Sequence, residues 1–208
     1  MLFIDADALS KLAHWNILPV LPELASTPWS GMATVSSIRF RALKATTAPD
    51  GKLFRCPKAA ARSVEAIQKM SPLAAPDATL LATFAAVPDI DPGEATLLAL
   101  VASGPEDRLL TGDKRALRSL ARLPEASRWC GRIFTVEQVI ACGLKSKGRD
   151  WLLQGACPFR DMDKAVANCL GSSCDASETS IREGLASYIR EMDRLHDPSL
   201  LGRCKAPD

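Results

Sequence analysis

The sequence predicts an α/β protein with a mainly parallel sheet, and three observations lead there. Short apolar runs pass directly into helical patterns four times, which is the signature of strand–helix units whose strands lie side by side. The chain has 208 residues, enough for one substantial core. Its 47% hydrophobic and 24% charged residues are ordinary globular values, while 5% aromatic points to a core of Leu, Ala, Val and Ile.

The first unit is "LFI" at 2–4 running into "DADALSKLAHW", and the second is "MATVSS" running into "IRFRALKA". Helical patterns follow near 57–70 and 77–86, and another begins just after Asp91. There "DPGE" supplies Asp91 as N-cap, Pro92 at the first helical position and Glu94 to close a capping box. The third unit is "RLLT" into "GDKRALRSLARL", and the fourth is "GRIFT" into "VEQVIACGL". Beyond about residue 145 the strand signal stops and helices joined by polar loops remain. In "SIREGLASYIREMDRLHDP", residues Ile181, Leu185, Tyr188, Ile189, Met192 and Leu195 form one stripe, with Ser180 and Glu183 as a capping box and Pro198 as the stop. That stripe must be covered, by its own domain or by a dimer or partner interface.

The longest apolar stretch, "ATLLATFAAV" at 78–87, is too short to span a bilayer. An acid, Asp5, comes before any basic residue, so the expectation is a cytoplasmic chain with no membrane partner. The seven cysteines include no C-x-x-C pair and are expected as reduced thiols, Cys169 and Cys174 being the nearest approach to a redox or metal pair. His14 and His196 read as structural, and no glycine-rich loop follows any strand. Charge is uneven. Between residues 39 and 69 stand Arg39, Arg41, Lys44, Lys52, Arg55, Lys58, Arg62 and Lys69 against Asp50 and Glu65 alone. Such a stretch suits a phosphate backbone, and a solvated helix face accounts for it equally well.

Three acids stand where they could share one edge of a parallel sheet. Asp5 follows "LFI", Asp113 follows "RLLTG", and Glu94 lies in the first turn of "EATLLALVAS". Ligands bind outside the carboxyl ends of parallel strands. Each acid also has a purely local reading as a helix cap. Carboxylates gathered together repel, and a divalent cation such as Mg²⁺ or Mn²⁺, which prefers oxygen ligands, relieves that repulsion and activates water.

In the order "FIDADAL", "VSSIRFRAL", "GEATLLALVAS", "LLTGDKRALRSLA", the chain resembles the PIN-domain family of metal-dependent ribonucleases, which includes toxins of toxin–antitoxin pairs. The resemblance implies a three-layer α/β/α domain over residues 1–145, followed by a helical extension over 146–208. It makes Asp5, Glu94 and Asp113 the catalytic, metal-holding acids for Mg²⁺ or Mn²⁺, with Asp7 as an additional ligand. It also implies an RNA substrate, cut by water, with Thr111, Arg39, Arg41, Lys114 and Arg115 as substrate contacts. An antitoxin and a homodimeric state are the implied protein partners. One departure stands out: where the family carries a further glutamate after "VSSI", this chain reads Arg39-Phe40-Arg41-Ala42-Leu43, with Ala42 nearest the vacant position. A PIN-like domain with such a gap could instead be a nucleic-acid-binding or assembly module. "DADAL" also looks like the start of a haloacid-dehalogenase-type phosphatase, with Asp5 as nucleophile, Asp7 as general acid and Ser36 or Ser37 on phosphate. Against that reading, Leu117 occupies the place of that family's next aspartate, and Glu94 has no task.

Overall fold

The structure is a computed structural model and describes residues 1–203. Its sheet is α/β as expected: β1 (Leu2–Ile4), β2 (Met32–Thr34), β3 (Arg108–Thr111) and β4 (Ile133–Thr135), all parallel, in the order β2-β1-β3-β4. The α-helices among the described residues are α1 (Ala6–His14), α2 (Leu21–Leu24), α3 (Ser36–Ala45), α4 (Pro57–Lys69), α5 (Ala78–Ala85), α6 (Pro92–Ser103), α7 (Lys114–Leu120), α8 (Val136–Lys147), α9 (Arg149–Ala156), α10 (Lys164–Leu170) and α11 (Glu178–Asp193). None is long and apolar enough to cross a membrane.

The strands are mostly apolar and largely buried because both faces of the sheet are covered. Successive side chains point to opposite faces. Leu2, Ile4 and Leu110 therefore join one core, with residues of α1, α4, α8 and the C-terminal helices. Phe3, Ala33, Leu109 and Ile133 join the other, with α5, α6 and α7. The result is a three-layer α/β/α arrangement. After β1 the chain moves to one side, to β2, and later returns to the other side at β3, so strand order reverses between β1 and β3. In open parallel sheets such a reversal leaves a crevice at the carboxyl ends of the strands.

The helices after residue 145 belong to the same core as the sheet: Val166, Leu170, Ile181 and Leu185 pack in the cluster that holds Leu2 and Ile4. Of the predicted stripe, Ile181, Leu185 and Met192 are buried and Tyr188, Ile189 and Leu195 half-buried, with α11 lying on α8 and α10. The chain thus covers this face itself. The start of α11 differs from expectation. Ser177, not Ser180, is the N-cap, its hydroxyl accepting from the Ser180 amide at 3.1 Å, and Ser180 and Glu183 lie inside the helix. Both serines are good caps, and docking of the helix selects the earlier one.

The cysteine expectation is corrected in one place. Cys157 and Cys174 are joined in a disulfide, with Cα atoms 6.1 Å apart, whereas Cys169 is a free, buried thiol. The packing of α9 beside the loop between α10 and α11 makes this pair, which spacing along the chain does not reveal. Cys204 lies outside the described residues.

Candidate active site

Parallel register sets the position of the first acid. Ile4 is level with Leu110, so Asp5 comes out of the sheet beside Thr111 and Gly112. The Asp5 backbone amide still donates to the Leu110 carbonyl at 3.0 Å, and its side chain then caps α1. One carboxylate oxygen accepts from the Asp7 amide at 2.6 Å; the other accepts from the Thr111 hydroxyl at 2.7 Å and the Gly112 amide at 3.2 Å. Asp5 is only 5% exposed. Burial, followed by repulsion from Asp7, raises its pKa to about 6 despite those three hydrogen bonds.

Asp113 caps α7 from the end of β3. Its Oδ1 accepts from the amides of Arg115 and Ala116 at 2.7 and 3.1 Å, and its Oδ2 faces the Arg115 guanidinium at 3.2 Å. The Asp113 amide donates to the Thr111 hydroxyl at 3.1 Å. Thr111, expected at the substrate, is thus a buried link that ties Asp5 to Asp113 and positions both.

Glu94 comes from α6, in the same layer as α7 and across the sheet from α1. It closes the predicted capping box of α6, its Oε2 accepting from the Asp91 amide at 2.9 Å while its own amide donates to Asp91 Oδ1 at 2.8 Å. Burial first, and then the charges of Asp5, Asp113 and Asp91, push its pKa to about 8. Glu94 therefore feels the charges of Asp5 and Asp113, acids far from it in sequence, at the carboxyl edge beside the β1/β3 reversal. Capping and convergence are not alternatives here, because each acid does both.

A cleft of about 340 Å³ opens next to them, bordered by Asp7, Lys11, Asp113, Lys114, Arg115 and Asp163 among others. Lys11, unforeseen from sequence, lies between Asp7 at 2.6 Å and Asp163 at 2.8 Å. Asp163 is the N-cap of α10 and brings the C-terminal helices to the cleft. Lys114, expected to meet substrate, turns inward: it ion-pairs with buried Glu137, sits 3.8 Å from Asp163 and lies over the Tyr188 ring. Arg115 remains at the rim with its side chain 75% exposed. Arg39 and Arg41 are exposed on α3 outside the cleft lining, Arg41 being paired with Asp50 at 2.9 Å.

Ala42 is fully buried in the core, so an acid at that position would lose its hydration. Leu117, likewise buried, occupies the core rather than the cleft. Among the described residues no three His, Cys, Asp or Glu side chains are gathered closely enough to hold a metal ion as they stand. The donor chemistry of Asp5, Glu94 and Asp113 nevertheless fits a hard cation. Burial, with repulsion from Asp7 at Asp5 and from Asp5, Asp113 and Asp91 at Glu94, raises the proton affinity of those two acids, a deficit of positive charge that a divalent ion relieves. No family model, curated protein or solved structure matches this chain.

Proposed function

We propose that the chain is a metal-dependent ribonuclease of PIN type that hydrolyses phosphodiester bonds in RNA. The observation that supports this reading is that Glu94 feels the charges of Asp5 and Asp113, acids from three separate elements, at the carboxyl edge beside the strand-order reversal. Asp5 and Asp113 would hold Mg²⁺ or Mn²⁺, with Glu94 completing the acidic set and Asp7 adjacent. The ion, when bound, supplies activation of water and stabilisation of charge on the phosphoryl oxygens.

The protein groups have distinct tasks. The amides of Asp7, Gly112, Arg115 and Ala116 fix the orientation of Asp5 and Asp113, and the Thr111 hydroxyl keeps those two carboxylates in register. Glu94 in its ionised form, with its raised proton affinity, is suited to take a proton from attacking water. Arg115 at the rim offers a guanidinium to an RNA phosphate.

Buried Ala42 favours a second reading, that of a binding module lacking the full acidic set. Incubation of wild type and Asp113→Asn with mixed-sequence single-stranded RNA and Mn²⁺, with a chelator control, separates the two. Internal cleavage by wild type, lost in both the variant and the control, is the expected result. Intact RNA that is bound by the folded protein supports the module. Hydrolysis of a small phosphate monoester with RNA left intact would point to the phosphatase chemistry instead.

A further inference from the structure

The basic stretch between residues 39 and 69 takes no part in the acid cleft, yet its middle borders a second cavity. A cleft of about 420 Å³ opens between the end of α1, the first turns of α4, and α9 with the residues that follow it. That volume lies within the range of small-ligand sites. Its floor is His14 and Trp15, 2% and 1% exposed. Half-buried Trp151 and Phe159 form walls, and Lys58 and Arg62 stand at the rim. No aspartate or glutamate is among its lining residues.

Several features build this shape. A Cβ on Gly155 would lie 2.1 Å from the Trp15 carbonyl oxygen, so only glycine lets α9 approach the end of α1 this closely. Asn16 turns the chain there at φ 57°, and Trp15 Nε1 donates to the Phe159 carbonyl at 2.9 Å. His14 Nδ1 donates to the Ser10 carbonyl at 2.8 Å while Nε2 accepts from the Arg55 amide at 3.0 Å, which holds the ring in one neutral tautomer. Arg62 is anchored through one nitrogen to the Ala13 carbonyl at 2.9 Å. Lys58 and Arg62 are four residues apart and share one face of α4, close to the positive end of that helix.

We propose that this cleft binds a nucleoside monophosphate unit, its base against Trp151 and Phe159 and its phosphate at Lys58 and Arg62. Aromatic faces accept any base by stacking, and a cationic rim without competing carboxylates selects for phosphate. The site is separate from the acid cleft: α1 runs between them, and its nine residues span roughly 13 Å. The proposal does not depend on RNA cleavage. A free mononucleotide and a nucleotide within a single strand present the same chemistry.

Calorimetric titration of the full chain in chelator tests it, with AMP, adenosine, inorganic phosphate and a short single-stranded RNA as probes. AMP is expected to bind saturably and more tightly than adenosine or phosphate alone. Lys58→Glu and Gln154→Glu, exposed positions on opposite sides of the cleft, should each weaken AMP by about tenfold. Asp113→Asn should leave it unchanged. RNA binding with the same sensitivity to both variants assigns a strand nucleotide, and AMP binding alone assigns a free one. Failure of AMP to bind at about 5 mM, a Kd no tighter than the millimolar range, or binding untouched by both variants, would overturn the proposal.

Discussion

Replacing Lys11 with Met withdraws an ammonium from between two carboxylates of unequal burial. Asp7 has a side chain 43% exposed and, once orphaned, regains hydration at little cost. Asp163 is only 6% exposed and would be left as a buried carboxylate, with Lys114 at 3.8 Å as its remaining cation. Breaking a buried pair from one side costs about 3–5 kcal/mol, and the distant Lys114 should hold the loss near the lower figure, about 3 kcal/mol. Asp163→Asn keeps an oxygen for the amides of Ala165 and Val166, which Asp163 now accepts at 2.8 and 3.2 Å. Asp163→Ala loses that cap as well and should cost about 1 kcal/mol more than Asn. In Lys11→Met/Asp163→Asn no charge is stranded, so the double variant should be more stable than the sum of its parts by about 2 kcal/mol. Urea unfolding followed by tryptophan fluorescence at pH 7 measures all four, provided the slope with denaturant stays constant. A Lys11→Met cost under about 1 kcal/mol, or strict additivity in the double variant, would refute the claim that this pair anchors the C-terminal helices to the cleft.

Glu94 yields a pH prediction for the metal-free protein. Its pKa rises from 4.5 to about 8 on folding, so the folded state binds the proton more tightly, and stability declines as pH rises across that interval. The ceiling on this loss is roughly 5 kcal/mol. Glu94→Gln keeps the capping acceptor and should be more stable than wild type at pH 8, with the difference vanishing near pH 4.5; urea midpoints in chelator that give a pH-independent difference would contradict it. At Gly112 an added Cβ would meet Asp7 Oδ2 at 2.5 Å and Lys11 Nζ at 3.1 Å. Gly112→Ala should therefore cost about 1–3 kcal/mol in wild type and clearly less in an Asp7→Ala background, since the clash is with that carboxylate; equal costs in both backgrounds would place the strain elsewhere.

What the sequence disclosed and what it withheld follow from the range of the interactions concerned. Four apolar runs that pass into helices are local signals, and β1 to β4 lie where those runs stand. Asp5 and Asp113 were legible because the one directly follows such a run and the other follows it after a single glycine, and Glu94 because a capping box marks the start of α6. The Lys11–Asp163 pair joins residues 152 positions apart and leaves no local trace beyond a lysine one turn after Asp7. Glu137 looks like any acid in the first turn of a helix, and only the packing of α8 against α11 makes it a buried partner for Lys114. The Cys157–Cys174 pairing and the choice of Ser177 over Ser180 as cap depend likewise on how helices dock.

The double duty of the acids has a physical consequence that neither role would produce alone. Amides at the starts of α1 and α7 donate to Asp5 and Asp113 and hold both in place; at Asp5 they favour the ionised form, whereas burial at the sheet edge and the charge of Asp7 favour the protonated one. At Asp5 and Glu94 the influences that favour the proton prevail, and Glu94 is the more strongly raised: burial acts first, the charges of Asp5, Asp113 and Asp91 add to it, and the Asp91 amide is its hydrogen-bond donor where Asp5 has three. A carboxylate fixed by helix amides cannot swing away to relieve repulsion. It can only take up a proton or share a cation. The geometry that secures the helices is therefore also what keeps the acids close and gives the edge of the sheet its affinity for positive charge.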